Sequence, residues 1–156
     1  MALGIAAFCM IVLFTLIPVG LASRKEAVQN TMAAGIASEV LADLRSTGSA
    51  STSKRFQLAI PSPGSSSTLN ANPQTFYLAN DGARTGGLGA GPTTSGLQAS
   101  TFRVTIGFGP PPSADAKSST ALRILVTWPA LASPNPKVWP TNFNDSYEVL
   151  TSLNRN

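Results

Sequence analysis

The chain has 156 residues, enough for one domain plus an extended element. It is sparsely charged, with 12% Asp, Glu, Lys and Arg and a formal net charge of +4; the basic residues are scattered, so no specific nucleic-acid partner is predicted. It has no histidine and one cysteine, Cys9, which removes the commonest general base, metal ligand and haem ligand and excludes an intrachain disulfide.

Residues 1–23, MALGIAAFCMIVLFTLIPVGLAS, carry no charge. A spanning helix needs roughly 20 mainly apolar residues at about 1.5 Å each, and this segment meets that length. Leu3, Ile5, Phe8, Ile11, Val12, Leu13, Phe14, Leu16 and Ile17 supply the apolar surface. Gly4, Ala6, Ala7 and Gly20 are small enough for close helix approach in lipid. Pro18 has no N–H to donate, so a kink or local melting is expected around Pro18 and Gly20. Three readings compete: a cleaved secretory signal, an ordinary single-pass anchor, and a segment that sits first in a membrane and later in a filament core. A signal peptide has a basic n-region, and none precedes the apolar run here. Arg24 and Lys25 follow it at once, which by the positive-inside rule puts the rest of the chain in the cytoplasm. A loop-rich β region is an odd cytoplasmic cargo. The conflict disappears if a basic leader precedes residue 1, and that is the expectation.

Residues 24–46 continue at helical spacing without a break. Val28, Met32, Ile36, Val40 and Leu44 step by four, with Ala37 and Leu41 beside them, while Lys25, Gln29, Glu39 and Asp43 are polar. This is a one-sided apolar stripe. Gly48 suits the C′ position. A helix of about 46 residues reaches roughly 65–70 Å at the standard rise. One small domain cannot cover it, so its first half must lie in lipid or against copies of itself.

A polar linker over 47–54 precedes a change to period two. Phe56, Leu58 and Ile60 alternate with Arg55, Gln57 and Ala59; Phe76 and Leu78 form a second run. Phe102, Val104, Ile106 and Phe108 alternate with Arg103 and Thr105; Leu122, Ile124, Val126 and Trp128 with Arg123 and Thr127; Tyr147, Val149, Thr151 and Leu153 with Glu148 and Ser152. Each run reads as a half-buried strand with one apolar face. Long Pro-, Ser- and Gly-rich loops separate them at 61–75, 82–100, 109–120 and 129–142. Loops of that length are commonly functional, here as a subunit contact or an exposed filament surface. The helical stripe and the strand faces each leave one side uncovered and have the length to cover each other, which gives a two-layer α+β unit. Three regions follow: an apolar helix over 1–23, its amphipathic continuation over 24–46, and a β-sheet head over 47–156.

Catalytic signatures are absent. No CxxCH, P-loop, GxGxxG or GxSxG motif occurs, and the run Gly86-Gly87-Leu88-Gly89-Ala90-Gly91 lacks the following Lys-Ser/Thr of a phosphate cradle. Asp81, Asp115, Asp145 and Glu148 are the candidate acids, but loop aspartates beside Gly or Asn are ordinary turn residues. Asn144-Asp145-Ser146 fits an N-glycosylation sequon, against the plainer reading of a loop. Trp128 fits sheet packing; Trp139, among prolines, fits either packing or a binding platform.

A helix with an apolar first half and an amphipathic second half, followed by an antiparallel sheet, resembles the type IV pilin and pseudopilin family. The nearer resemblance is to the pilin-like proteins of Verru_Chthon cassettes, protein B type. It is carried by MALGIAAFCMIVLFTLIPVGL (1–21), GIASEVLADLR (35–45), LVTWP (125–129) and YEVLTSLNR (147–155), about half the chain. The resemblance implies a pilin-like α+β fold: a long stalk helix packed on a C-terminal antiparallel sheet. It implies as partners copies of the same chain in a helical filament, an inner-membrane assembly machinery and a prepilin peptidase. It implies residence in the inner membrane before assembly and in an extracellular filament after it. That family is cut after a Gly ahead of the apolar helix and carries a Glu a few residues inside the mature end. Neither stands ahead of Met1, so no processing or docking residue is carried over.

The leading expectation is therefore a non-enzymatic filament subunit, with no cofactor and no metal. Its core is built by the apolar residues Leu3 to Ile17 named above. Its helix–sheet core joins Val28, Met32, Ile36, Val40 and Leu44 to Phe102, Val104, Ile106, Leu122, Ile124, Val126 and Trp128. Arg103 and Arg123 are expected on the opposite, open face of the sheet. The alternative is a monomeric, membrane-anchored β domain that binds a ligand or a cell-wall polymer.

Overall fold

A computed structural model describes residues 2–47, 51–62, 65, 68–94, 99–110 and 119–154, with the side chains of 2–9, 11–16, 18, 19 and 22 outside that set. The chain divides into two compact units, Met1–Met32 and Ala33–Asn156. One helix, α1 (Ala2–Ser46), and four strands make an α+β protein: β1 (Gln74–Leu78), β2 (Phe102–Phe108), β3 (Thr120–Trp128) and β4 (Asp145–Leu153). The strands form one antiparallel meander in the order β1-β2-β3-β4.

Helix α1 runs through Pro18 and Gly20 without interruption, so the local melting expected there is absent. A proline removes one N–H donor, and the helical bonds on either side hold the turn. The helix ends on its own hydroxyls: Ser46 Oγ and Thr47 Oγ1 both donate to the Asp43 carbonyl, at 2.9 and 2.7 Å. They satisfy a carbonyl that the helix terminus leaves without an intrahelical donor. Gly48, the expected C′ residue, lies outside the described residues.

The core lies between one face of the sheet and the last turns of α1. Ala33, Ile36, Ala37, Val40 and Leu44 are buried in one cluster with Phe76, Leu78, Phe102, Val104, Ile106, Leu122, Ile124, Val126 and Trp128. Strand register explains the set: Phe76, Val104, Val126 and Tyr147 stand in one cross-strand row, and Ile106, Ile124 and Val149 in the next. Val28 and Met32, expected in this core, are 45% and 36% exposed. Helix geometry gives the reason. Four steps of about 100° overshoot a turn by about 40°, so a stripe stepping by four from 28 to 44 winds roughly 160° around the helix. The buried face is completed by Ala33 and Ala37, whose small side chains allow close approach to the sheet.

Residues 55–60 are not the first strand that their alternation suggests. Ser53 and Leu58 close a tight turn, with Ser53 N–H donating to Leu58 O at 2.9 Å and Ile60 N–H to Ser51 O at 2.8 Å. Gln57 takes the left-handed region at φ 55°. Phe56, Leu58 and Ile60 are buried as the alternation requires, but they cap the end of the core rather than join the sheet. Phe56 stacks on Phe76 with ring centroids 4.9 Å apart. The segment is tied to α1 by Asp43, whose carboxylate accepts from Arg55 N–H at 3.0 Å and Phe56 N–H at 3.1 Å.

The second face of the sheet is also covered, contrary to the one-faced reading of the strands. All seven residues of β2 are buried, polar ones included. A strap over 129–143 follows the cis Trp128–Pro129 peptide and a short 3-10 turn at Ala130–Ala132, and covers this face. Only β4 alternates cleanly between exposed and less exposed positions.

Candidate assembly surface

The described residues of the Met1–Met32 unit, from Ala2 on, are all helix. Of its described side chains, Met10, Ile17, Leu21, Val28 and Met32 are exposed large hydrophobics. At about 100° per residue, all five fall within roughly 60° of one another around the axis. The spacing repeats every eleven residues, through 10, 21 and 32 and through 17 and 28, so the line stays nearly parallel to the axis. Thr31 donates its hydroxyl to Ala27 O at 2.9 Å. Gly20 has nothing within 4 Å of where a Cβ would stand, so close approach by another chain meets no obstacle there. Leu3, Ile5, Phe8, Ile11, Val12, Leu13, Phe14, Leu16 and Pro18 have side chains outside the described set. Among the described residues, no helix is long and apolar enough to cross a membrane.

In the Ala33–Asn156 unit, the face away from the helix is built around Arg103. Its side chain is 0% exposed, which corrects the expectation of an open arginine face. Nε donates to Thr105 Oγ1 at 3.1 Å, Nη1 to Ser133 Oγ at 2.8 Å and to Ser133 O, and Nη2 to Val138 O. Every one of these acceptors is neutral. Burial pushes the guanidinium pKa down from its ordinary value, with the neighbouring Tyr77 opposing. Tyr77 stands opposite Arg103 in register and donates its hydroxyl to Pro134 O at 3.0 Å. Burial raises the Tyr77 pKa, and the Arg103 charge acts against that. Together the two side chains clamp the strap to the sheet.

A second contact holds the strap beside them. Arg123 lies 4.4 Å from the centroid of the Trp139 ring, bonds Asn70 Oδ1 at 2.9 Å and pairs with Glu148 at 2.7 Å. Trp139 Nε1 donates to Asn70 O at 3.0 Å. Both strap and Asn70 loop approach the sheet at Gly107, where a Cβ would stand 2.1 Å from Leu69 O and 2.7 Å from the Trp139 ring. Trp139 is thereby a packing residue with one ring face taken by Arg123, not a free platform. Trp128 packs edge-to-face on Phe102 at 5.9 Å, inside the helix-side core.

The candidate acids are not gathered into a site. Asp81 accepts from Ala83 N–H at 2.9 Å as a turn residue, Asp145 accepts from Ser146 N–H at 2.7 Å, and Glu148 is paired with Arg123. Asp115 lies outside the described residues. Among the described residues no group of acidic or cysteine side chains is placed to hold a metal. Sequence reasoning missed Asp43, Tyr77 and Gly107 as positioning residues. A Tyr in the Phe76–Leu78 run and an Arg in the Phe102–Phe108 run were visible, but nothing local marks them as register partners 26 residues apart. No protein-family profile, curated protein or solved structure matches the chain.

Proposed function

We propose that the protein is a structural, non-catalytic subunit of an extracellular pilus-like filament or pseudopilus, held in an inner membrane before assembly and joined to copies of itself through residues 1–32 of α1. The observation that carries the reading is the line of Met10, Ile17, Leu21, Val28 and Met32: five exposed apolar side chains within a narrow arc of a helix. Exposed apolar surface of this extent and regularity is an interaction surface. The uncharged sequence of residues 1–23 gives it two compatible environments, lipid and a bundle of like helices. Transfer between them has a small driving force, because Leu, Ile and Phe each gain only about 0.3–0.6 kcal/mol in lipid insertion. An assembly machinery therefore supplies the work of extraction, and the pilin-type resemblance of the sequence is the basis for invoking one with its prepilin peptidase.

Electron microscopy of cells producing the chain, or of the chain recovered from them, tests the reading. Filaments are expected with the parent protein, and Ile17→Asp is expected to abolish them while the sheet unit keeps its circular-dichroism spectrum. Normal filaments from Ile17→Asp overturn the role of the helix. A parent chain that stays monomeric in the membrane, binding cell-wall polymer, overturns the filament in favour of an anchored binding domain.

A further inference from the structure

The two edges of the sheet are treated differently. Along β1 the outer edge is occupied by the following loop: Thr85 N–H donates to Tyr77 O and Gly89 N–H to Thr75 O, each at 2.9 Å, and Leu78 bridges to Arg84. Along β4 the outer edge carries one described bond, from Ser146 N–H to the neighbouring Asp145 Oδ1 at 2.7 Å; among the described residues nothing from outside the strand bonds to it. Natural edge strands are usually blunted by a Lys, a Pro, a bulge or short length. Strand β4 has none of these. It pairs with β3 over nine consecutive residues with no bulge. Its acid Glu148 is turned to Arg123 and so is neutralised beside the edge. Leu150 is 67% exposed on the same strand.

We propose that β4 is an isologous docking edge for β4 of a second copy, paired antiparallel about a two-fold axis at Leu150 and extending each meander into one continuous sheet. The side chains choose both occupant and register. An axis at Glu148 sets two carboxylates against each other, which is destabilising. An axis at Val149 sets Glu148 against Leu150. An axis at Leu150 buries the most exposed large side chain of the head against its own copy and places Glu148 opposite Ser152. On the helix-facing side it sets Tyr147 opposite Leu153 and Val149 opposite Thr151. Tyr147 and Val149 already pack partly on the core, and the copy covers the side that faces outward. A two-fold contact closes on itself and cannot propagate a polymer. It is therefore separate from the helix contact that builds a filament, and it joins subunits of opposite strand direction.

Cysteine pairing in the full-length protein tests this, in a Cys9→Ser background so that only introduced thiols react. Leu150→Cys faces itself across the axis and is expected to convert most of the chain to a covalent dimer under mild oxidation. Glu148→Cys alone is expected to stay monomeric, because the two copies of residue 148 lie about 13 Å apart along the strands and a disulfide needs Cα atoms within about 7 Å. Glu148→Cys with Ser152→Cys is expected to dimerise. Equal cross-linking by Leu150→Cys and Glu148→Cys alone, or none by Leu150→Cys, overturns the proposal. Adding Ile17→Asp separates it from the filament reading. Cross-linking at Leu150 that persists without filaments supports the two-fold edge, and cross-linking lost together with them overturns it. Leu150→Lys is expected to abolish the non-covalent dimer in sedimentation with an unchanged thermal melt; a dimer that survives it also overturns the register.

Discussion

Arg103→Ala is the sharpest perturbation of the head. The side chain is fully buried, and its guanidinium supplies the donors for Thr105 Oγ1, Ser133 Oγ, Ser133 O and Val138 O. Truncation leaves two strap carbonyls and two hydroxyls facing a hole. The hydroxyls can rotate to new partners; the carbonyls cannot. An orphaned buried acceptor costs about 1–3 kcal/mol, and two carbonyls lose their donor here, so the expected loss is roughly 2–6 kcal/mol. It is reduced by one opposing effect, since the cation no longer has to be held out of water. Arg103→Met separates the two: it keeps most of the stem, removes the charge, and should cost less than Ala. Arg103→Lys should cost nearly as much as Ala, because a compact ammonium cannot span Thr105, Ser133 and Val138 as the planar fork does. Guanidinium titration of the full chain in nonionic micelles, read by tryptophan fluorescence, gives the magnitudes. Trp139 reports the strap and Trp128 the helix-side core. Limited proteolysis should cut first within 129–143 in Arg103→Ala. A loss under about 1 kcal/mol, where ordinary surface substitutions fall, with the strap still protected would refute the assignment of Arg103 as its clamp.

Three further outcomes are expected. For Asp43, burial by itself would raise the pKa, but hydrogen bonds from Ser53, Phe56 and Arg55 hold it below the usual carboxylate value; a depressed folded pKa gives stability that is present above the unfolded value near pH 4 and is lost as pH falls through the folded one. Stability measured from pH 6 down to pH 2 should fall less steeply in Asp43→Asn than in the parent. Gly107→Ala should destabilise by about 1–3 kcal/mol, the range for overpacking, because its Cβ meets the Leu69 carbonyl; an unchanged melt would remove the strap–sheet contact there. Ile124→Ala should cost about 2–5 kcal/mol as a large-to-small core change, since Ile124 is 0% exposed between Ile106 and Val149.

The helix-side layer was legible because its signals are local. Period-four spacing over Ile36, Val40 and Leu44, and period-two spacing over Phe102–Phe108 and Leu122–Trp128, each mark a face without reference to the rest of the chain. The boundary of that layer was not. Val28 and Met32 share the four-residue step, but the step drifts around the helix, and only the extent of the sheet decides which turns it covers. Phe56, Leu58 and Ile60 show the same limit from the other side. Their alternation correctly marks burial, yet alternation does not say whether the backbone bonds go to a neighbouring strand or back to Ser51 and Ser53.

The second layer was illegible for a physical reason. A polar residue in a strand reads as solvent-facing because isolated burial of a charge is costly. Arg103 escapes that cost through acceptors about thirty residues away in sequence, in a proline-rich segment without periodicity. No window long enough to contain both has a pattern, since the pairing depends on register: Tyr77 meets Arg103 and Arg103 meets Thr127 only once the strands are aligned. The same logic bears on the assembly surfaces. The helix line was partly visible because helical geometry is fixed, so sequence spacing converts directly to azimuth. The β4 edge was not, because an edge is defined by what fails to pair with it, and that is a property of the whole sheet. Covering the second face with a strap leaves β4 as the edge where another chain can add, with only the Ser146–Asp145 bond described along its outer side. If Leu150→Lys and Ile17→Asp prove independent in their effects, the protein carries two self-contacts of different symmetry: one closes a pair, and the other propagates a polymer.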